Sequence, residues 1–309
     1  MLASLTMSPL TTTRLMLLCL GLSTALPSNA ANLNKARILE VKSGKSHVRR
    51  CLMSRKTVAI TDPVHFTDAR VVFDHYEPRA GSVAQVLILP PTGGENLIDR
   101  LYARDLCKRG LGAVLVKTWS YDTETSLDLS VHDNGYKRAL NAVRATLKFV
   151  PGRVGILGTS LGALYAATLL ASEERIETGV IIVGGSPLSE ILATSTIPGV
   201  TQQRESRITK LNLRDNQDYR DLMDTKIHLD ASNFLPLSRG KSALMVTALK
   251  DKIVPTSTQL GLWEELGRPA RINIKAGHLG AMISAYTWYR RGIEDFLVQE
   301  LSRERVTSP

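Results

Sequence analysis

One short motif joins a predicted buried strand to a predicted helix in the middle of this chain. Residues 154–157 are apolar, Gly158-Thr-Ser-Leu-Gly162 follows them, and residues 163–170 form a second apolar run. The first run predicts a strand covered on both faces, and the second predicts a helix. Gly-x-Ser-x-Gly at such a junction is typical of a sharp turn that exposes a serine hydroxyl. A plain glycine-rich turn is the alternative, but the flanking strand and helix favour Ser160 as a nucleophile.

The same alternation of strand and helix runs through most of the chain. Apolar runs predict strands at residues 85–89, 113–116, 154–157, 178–183, 243–246 and 271–274. Amphipathic patterns predict helices at residues 98–108, 133–149, from 160 onward, 256–266 and 281–301. This order predicts an α/β fold with a mostly parallel central sheet and helices on both faces. Two antiparallel strands, at residues 58–60 and 71–73, are expected at its edge.

Residues 185–240 interrupt this alternation. They are polar and helix-prone, and they lack a strong apolar strand. We interpret them as a helical cap inserted into one domain, rather than as a second domain. A chain of 309 residues with 43% hydrophobic composition can form one large core that carries such an insertion.

The N-terminal residues predict an export signal. Arg14 is followed by an apolar stretch of 12 residues, 15–26, and then by Pro27-Ser-Asn-Ala30. A charged start, an apolar core and a small-x-small end are typical of a secretory signal peptide. We expect cleavage after Ala30, a mature domain of residues 31–309, and a periplasmic or extracellular location. An uncleaved anchor is the alternative, although this apolar stretch is short for a membrane span. No stable membrane span is expected after signal removal.

The charge and the cysteines narrow the possible partners. The formal net charge is +10, but the basic residues are scattered and no basic helix carries interleaved aromatics, so nucleic-acid binding has little support. A basic surface could favour an anionic membrane or polymer, but a well-solvated surface is the favoured interpretation. Cys51 and Cys107 could pair in an oxidising compartment, or Cys107 could be a buried free thiol. No metal-binding cysteine or histidine pattern occurs, and no cofactor is implied.

A serine nucleophile needs a base and an acid partner, and both follow strands of the predicted sheet. Asp251 comes after the strand at 243–246, and His278 after the strand at 271–274. Because parallel strands end at one edge of the sheet, these side chains are expected beside Ser160. Each alone could be an ordinary polar loop residue, but their joint placement predicts a Ser-His-Asp triad.

Three further residues could lie near the substrate. Trp119 follows a predicted strand and could line the pocket or simply pack. His132, near a helix start, and His228, in the predicted cap, could touch substrate, but we expect them to be surface groups.

An oxyanion site needs two backbone N–H donors. Leu161, directly after the nucleophile, is expected to supply one. The loop after residue 89 should supply the other, and Pro90 and Pro91 have no N–H. Thr92 is therefore the expected second donor, with Gly93 as the alternative.

The quoted motifs, in their order along the chain, resemble those of the α/β-hydrolase fold superfamily. The matching segments are Gly158-Thr-Ser-Leu-Gly162, Lys250-Asp-Lys-Ile-Val-Pro255 and Gly277-His-Leu-Gly280, and the resemblance covers about residues 70–302. Gly93-Gly-Glu-Asn96, followed by a predicted helix and Gly110-Leu-Gly-Ala-Val-Leu115, looks most like the dienelactone hydrolase and prolyl-oligopeptidase-like branches. Two departures are Pro90-Pro91, where many members have His-Gly, and serine at position 160, where the dienelactone branch often has cysteine.

The resemblance implies a serine hydrolase that acts on a small-molecule ester or amide through an acyl-enzyme, and the predicted signal peptide makes it an exported one. Acyl transfer to an alcohol on the same triad is one alternative. A non-catalytic binding protein that keeps the fold is another, although such a protein would not need all three triad residues. The oligomeric state is left open by the sequence.

Overall fold

The computed structural model describes residues 37–44, 50–62, 66–117, 127–234 and 241–303. The predicted signal peptide, its cleavage position and Trp119 lie outside these ranges. The cap prediction lies partly outside them, because residues 235–240 are not included.

Among the described residues, nine strands form one sheet. In chain order β1 to β9 they are Arg37–Gly44, Cys51–Asp62, Phe66–Pro78, Ala84–Leu89, Gly112–Val116, Arg153–Thr159, Ile176–Ile182, Ser242–Ala248 and Ala270–Ile274. Their spatial order is β1-β2-β3-β5-β4-β6-β7-β8-β9. The first three pairs in this order, β1–β2, β2–β3 and β3–β5, are antiparallel, and the remaining five pairs are parallel. The predicted α/β class with a mostly parallel sheet is confirmed.

The helices lie between and after these strands. Over the described ranges, α1 to α9 are Leu97–Lys108, Val131–Leu147, Leu161–Ser172, Leu188–Thr194, Pro198–Lys210, Asn216–Asp224, Thr256–Glu265, His278–Thr287 and Arg290–Ser302. Within this part of the chain, every helix is too short or too polar to cross a membrane.

The sheet separates two hydrophobic cores. Successive strand residues point to opposite faces, and on β6 the side chain of Ile156 joins one core while that of Leu157 joins the other. Helices α2 and α3 pack into the first core, for example through Leu140 and Leu164. Helices α1, α8 and α9 pack into the second. This double coverage explains why the central strands read as continuous apolar runs, and it confirms helices on both faces.

The edge of the sheet is longer than the sequence predicts. β2 and β3 form the expected antiparallel pair, but they extend well beyond the two apolar segments that indicate them. β1 is not predicted, because charged and polar residues interrupt its apolar pattern.

A disulfide connects this edge to the first helix. Cys51 on β2 is bonded to Cys107 on α1, with 6.2 Å between their Cα atoms, and both residues are buried. Of the two states left open by the sequence, the structure therefore has the paired one.

The predicted final helix, residues 281–301, is wrong as a single element. Helix α8 ends at Thr287, Trp288 and Tyr289 intervene, and α9 begins at Arg290. Helix α8 packs beside β8, whereas α9 packs mainly against β7 and β6. Hydrophobic periodicity predicts which residues are buried, but it does not show where one helix ends and the next one begins.

Helices α4, α5 and α6 occupy the chain between β7 and β8 and pack against one another.

The side chain of Arg207 on α5 contacts a histidine of α2. Its guanidinium lies 2.8 Å from His132 Nε2, at the start of α2, and donates to the Tyr219 hydroxyl at 3.1 Å. His132 is completely buried, so its expected surface position is wrong, whereas His228 is exposed. Burial, together with the Arg207 charge, lowers the pKa of His132 to about 3, so the ring is neutral and accepts from Arg207.

Candidate active site

The turn between β6 and α3 holds Ser160 in an unusual backbone conformation. Its φ is 54° and its ψ is −120°, a region that costs a non-glycine residue about 1–3 kcal/mol. Hydrogen bonds hold the turn in place: Ser160 N–H donates to Ile182 O at 2.9 Å, and Ala163 N–H donates to Ser160 O at 2.8 Å. The result is a serine at the carboxyl end of a central strand and at the N-terminus of a helix.

The two glycines of the motif are required by close backbone packing. A Cβ atom on Gly158 would lie 2.3 Å from Gly162 O, and one on Gly162 would lie 2.1 Å from Leu89 O. The same Gly162 Cβ would lie 2.5 Å from Pro90 O. Helix α3 therefore starts in direct contact with the end of β4 and the beginning of the loop that follows it.

The structure brings Ser160, His278 and Asp251 together in one hydrogen-bonded chain. His278 Nε2 lies 2.8 Å from Ser160 Oγ, and His278 Nδ1 lies 2.7 Å from Asp251 Oδ2. An ionised carboxylate can only accept a hydrogen bond, so Nδ1 carries the ring proton of neutral His278. Nε2 is then free to accept the proton of the serine hydroxyl.

Solved structures with this architecture are similar to the chain in shape, although their sequences are distant. Acetyl xylan esterase 1 from Thermoanaerobacterium sp. JW/SL YS485 gives a TM-score of 0.60 at 16% identity, over 88% of this chain and 90% of that one. The acetyl xylan esterase from Paenibacillus sp. R4 gives 0.61 at 14% identity, over 85% and 91%. A cold-adapted esterase from an Arctic intertidal metagenomic library gives 0.56 at 18% identity, over 84% and 98%.

This chain has the α/β-hydrolase fold. No protein-family model matches its sequence, and no curated protein does either. The fold expected from the three motifs is thus confirmed through the structure.

In this hydrolase fold, Asp251 is buried and accepts four hydrogen bonds. Its Oδ1 atom accepts the backbone N–H groups of Ile253 at 2.8 Å and Val254 at 3.1 Å. Its Oδ2 atom accepts Nε2 of Gln259 at 2.9 Å besides the bond from His278. These donors compensate the buried negative charge and fix the direction of the carboxylate toward the imidazole.

Gln259 is a site residue that the sequence does not indicate. It lies on α7, is completely buried, and also donates to Val254 O at 2.7 Å while its Oε1 atom accepts Ala248 N–H at 2.9 Å. A glutamine within a helix that is otherwise ordinary carries no motif. Only its eight-residue distance from Asp251 could have drawn attention to it.

The loop after β4 lies beside the nucleophile, because Pro90 packs against Gly162. Gly93 and Gly94 have φ values of +92° and +91°, and Gly94 N–H donates to Pro91 O at 3.1 Å. The glycine pair therefore forms the expected turn. That turn does not use the N–H groups of Thr92 and Gly93.

Leu161, the other expected donor, is the first residue of α3. Its N–H has no partner within the helix, since the first N–H groups of a helix never do. The helix dipole adds partial positive charge at the same point.

A buried carboxyl group lies just beyond this loop. Asp99 is fully buried on α1, and its Oδ2 atom accepts Asn96 N–H at 2.9 Å, while Asn96 Oδ1 caps the helix in return. The other oxygen of Asp99 has no hydrogen-bond partner within the described structure. Burial raises the pKa of Asp99 to about 7.

Proposed function

We propose that this protein is a serine hydrolase that cleaves carboxylic esters of small molecules, with amides as the second substrate class. The hydrogen-bonded chain from Ser160 through His278 to Asp251 carries this proposal. The position of Ser160 on a strained turn at the start of α3 supports the proposal, because acyl-transfer chemistry uses a nucleophile at such a turn. The solved structures that are similar in fold are esterases, and this supports carboxylic esters as the substrate class.

In the acylation step, Ser160 Oγ would attack the carbonyl carbon while His278 Nε2 takes the hydroxyl proton. Asp251 would stabilise the imidazolium that forms. The backbone N–H of Leu161, with that of Thr92 or Gly93, would donate to the carbonyl oxygen as it becomes negative. His278 would then return the proton to the leaving alcohol as the carbon–oxygen bond breaks.

Deacylation would use the same groups with water as the nucleophile. His278 takes a proton from water, the resulting hydroxide attacks the acyl carbon, and the proton returns to Ser160 Oγ as the acid leaves. The overall reaction adds one water to one ester bond and requires no redox partner.

Labelling with a fluorophosphonate tests the nucleophile. We expect the wild type to be labelled covalently and Ser160→Ala to remain unlabelled. Ser302→Ala, which removes an exposed serine at the end of α9, is the matched control and should label like the wild type. A wild type that does not label, or a Ser160→Ala variant that labels equally, would refute the proposal.

A panel of p-nitrophenyl esters with increasing acyl length, with and without added alcohols, tests the reaction class. Hydrolysis predicts that the free acid is the main product even when an alcohol is present. A new ester as the main product would instead assign acyl transfer to the same triad.

We also infer that the protein is exported after cleavage behind Ala30. The Cys51–Cys107 disulfide supports this inference, because disulfides persist mainly in oxidising compartments. N-terminal sequencing of the protein recovered outside the cytoplasm should give Ala31 as the first residue. A sequence beginning at Met1 would reject cleavage.

A further inference from the structure

The loop after β4, which contacts the nucleophile turn, is held at both of its ends. At its start, Pro90 packs against Gly162 of the nucleophile turn. At its end, Glu95 precedes the helix cap Asn96, and Lys117 Nζ lies 2.6 Å from each carboxylate oxygen of Glu95. The Lys117 side chain is only 13% exposed, so this ion pair is largely shielded from water. The loop is therefore tied to β5, which ends directly before Lys117.

An ion pair with a strand of the sheet holds the Lys117 side chain in place. Its Nζ atom lies 2.8 Å from Asp74 Oδ2 on β3, and Asp74 is buried. Arg55 on β2 donates to both oxygens of Asp74, at 2.7 and 3.1 Å. The charges thus alternate from Arg55 through Asp74 and Lys117 to Glu95, and the last pair is the one that reaches the loop.

We propose that Lys117 is a positioning residue of the active site. Its ion pair with Glu95 holds residues 90–96 so that the N–H group of Thr92, or that of Gly93, faces the oxyanion. This inference rests on the proposed hydrolase function, because it concerns the second oxyanion donor.

The loop needs such an anchor because Gly93 and Gly94 allow many backbone conformations. Donor groups contribute to catalysis only when they already point to the place where negative charge develops. Displacement by about 1 Å can cost about 10²-fold in rate. Because the donors act on the transition state more than on bound substrate, a displaced loop should lower kcat more than it raises KM.

Three variants test this role: Lys117→Met, Glu95→Met and the double variant. We expect each single change to lower kcat for a p-nitrophenyl ester roughly 10- to 100-fold, with KM within about threefold. The double variant should lose no more than the larger single loss, because both changes break the same pair. Lys117→Arg, which keeps the charge, should recover part of kcat.

Lys108→Met is the matched control. It removes an ion pair of 2.7 Å with Asp105 at the opposite end of α1 and should leave kcat unchanged. Glu95→Met also guards against a folding failure, because in that variant Lys117 still pairs with Asp74.

Hydrogen exchange of the amides of residues 92–97 gives a readout that does not depend on activity. We expect faster exchange in both single variants than in the wild type and the control. Unchanged exchange, unchanged kcat, or losses that simply add in the double variant would overturn the positioning role. A wild type inert toward esters and fluorophosphonates would refute the hydrolase proposal instead, while the exchange rates would still decide whether Lys117 holds the loop.

Discussion

Gln259 Nε2 donates to Asp251 Oδ2 at 2.9 Å, on the same oxygen that His278 Nδ1 reaches at 2.7 Å. The glutamine thus holds the carboxylate that orients the imidazole. We expect Gln259→Leu to lower kcat by about tenfold or more, because Asp251 loses one fixed donor. It should also destabilise the fold by about 1–3 kcal/mol, since Ala248 N–H loses its acceptor.

Steady-state kinetics and urea unfolding measure these two effects. Gln217→Leu makes the same substitution at an exposed position of α6 and should change neither. An unchanged kcat in Gln259→Leu would show that the backbone donors of Ile253 and Val254 are sufficient to hold Asp251.

The packing of Gly162 predicts that alanine is not tolerated there. The new Cβ would overlap Leu89 O and Pro90 O, so helix α3 or the loop after β4 would have to move. We expect Gly162→Ala to lose several kcal/mol of stability and nearly all esterase activity.

Gly292→Ala is the opposite case on the same chain. Gly292 lies in helix α9, and beyond its own helix backbone and chain neighbours nothing lies within 4 Å of its Cβ position, so alanine should add up to about 1 kcal/mol of stability. Thermal or urea unfolding of both variants checks the contrast. A fully stable Gly162→Ala protein would contradict the close approach.

Asp99 predicts a dependence of stability on pH. Its folded-state pKa, about 7, lies above its usual value of 3.8 because the carboxyl group is buried. Between these values the unfolded chain loses the proton while the folded protein keeps it, so this group destabilises the fold progressively as pH rises from about 4 to 7. Asp99→Asn removes this destabilisation, because asparagine does not ionise.

Urea unfolding from pH 4.5 to 8 measures the effect. The stability of Asp99→Asn relative to the wild type should increase across this range by about 3 kcal/mol, since one pKa unit is worth about 1.4 kcal/mol and part of the effect is already present at pH 4.5. Asp218→Asn is the control. An exposed ion pair with Arg214 lowers the pKa of Asp218 to about 2, so its relative stability should be flat between pH 5 and 8. A flat curve for Asp99→Asn would contradict the raised pKa.

The disulfide should contribute strongly to stability, because it closes a long loop. Cys51 and Cys107 are 56 residues apart, and the chain-entropy model gives about 4 kcal/mol for a loop of this length. We expect the double Cys→Ala variant to lose about 2–5 kcal/mol in urea unfolding. Mass spectrometry with and without reductant should show the bond in the wild type. Equal stability of the two proteins would indicate that packing alone holds α1 on β2.

Most of the main sheet can be predicted from the sequence, because each central strand is apolar on both faces. β4 to β8 are recognisable as short apolar runs, and α1, α2 and α7 as amphipathic segments. β1 is missed because its residues are mostly polar and its place at the edge depends on pairing with β2. The boundary between α8 and α9 is missed because both helices have compatible periodicity.

The sequence by itself determined the nucleophile motif and its order relative to Asp251 and His278, because strand and helix periodicity places each residue at a strand end. It could not determine which loops meet across the sheet. Only the tertiary structure decided that Gln259 holds Asp251, that Lys117 pairs with both Asp74 and Glu95, and that Cys51 bonds to Cys107. These contacts join residues from different elements, and their formation depends on three-dimensional proximity, which local sequence pattern does not encode.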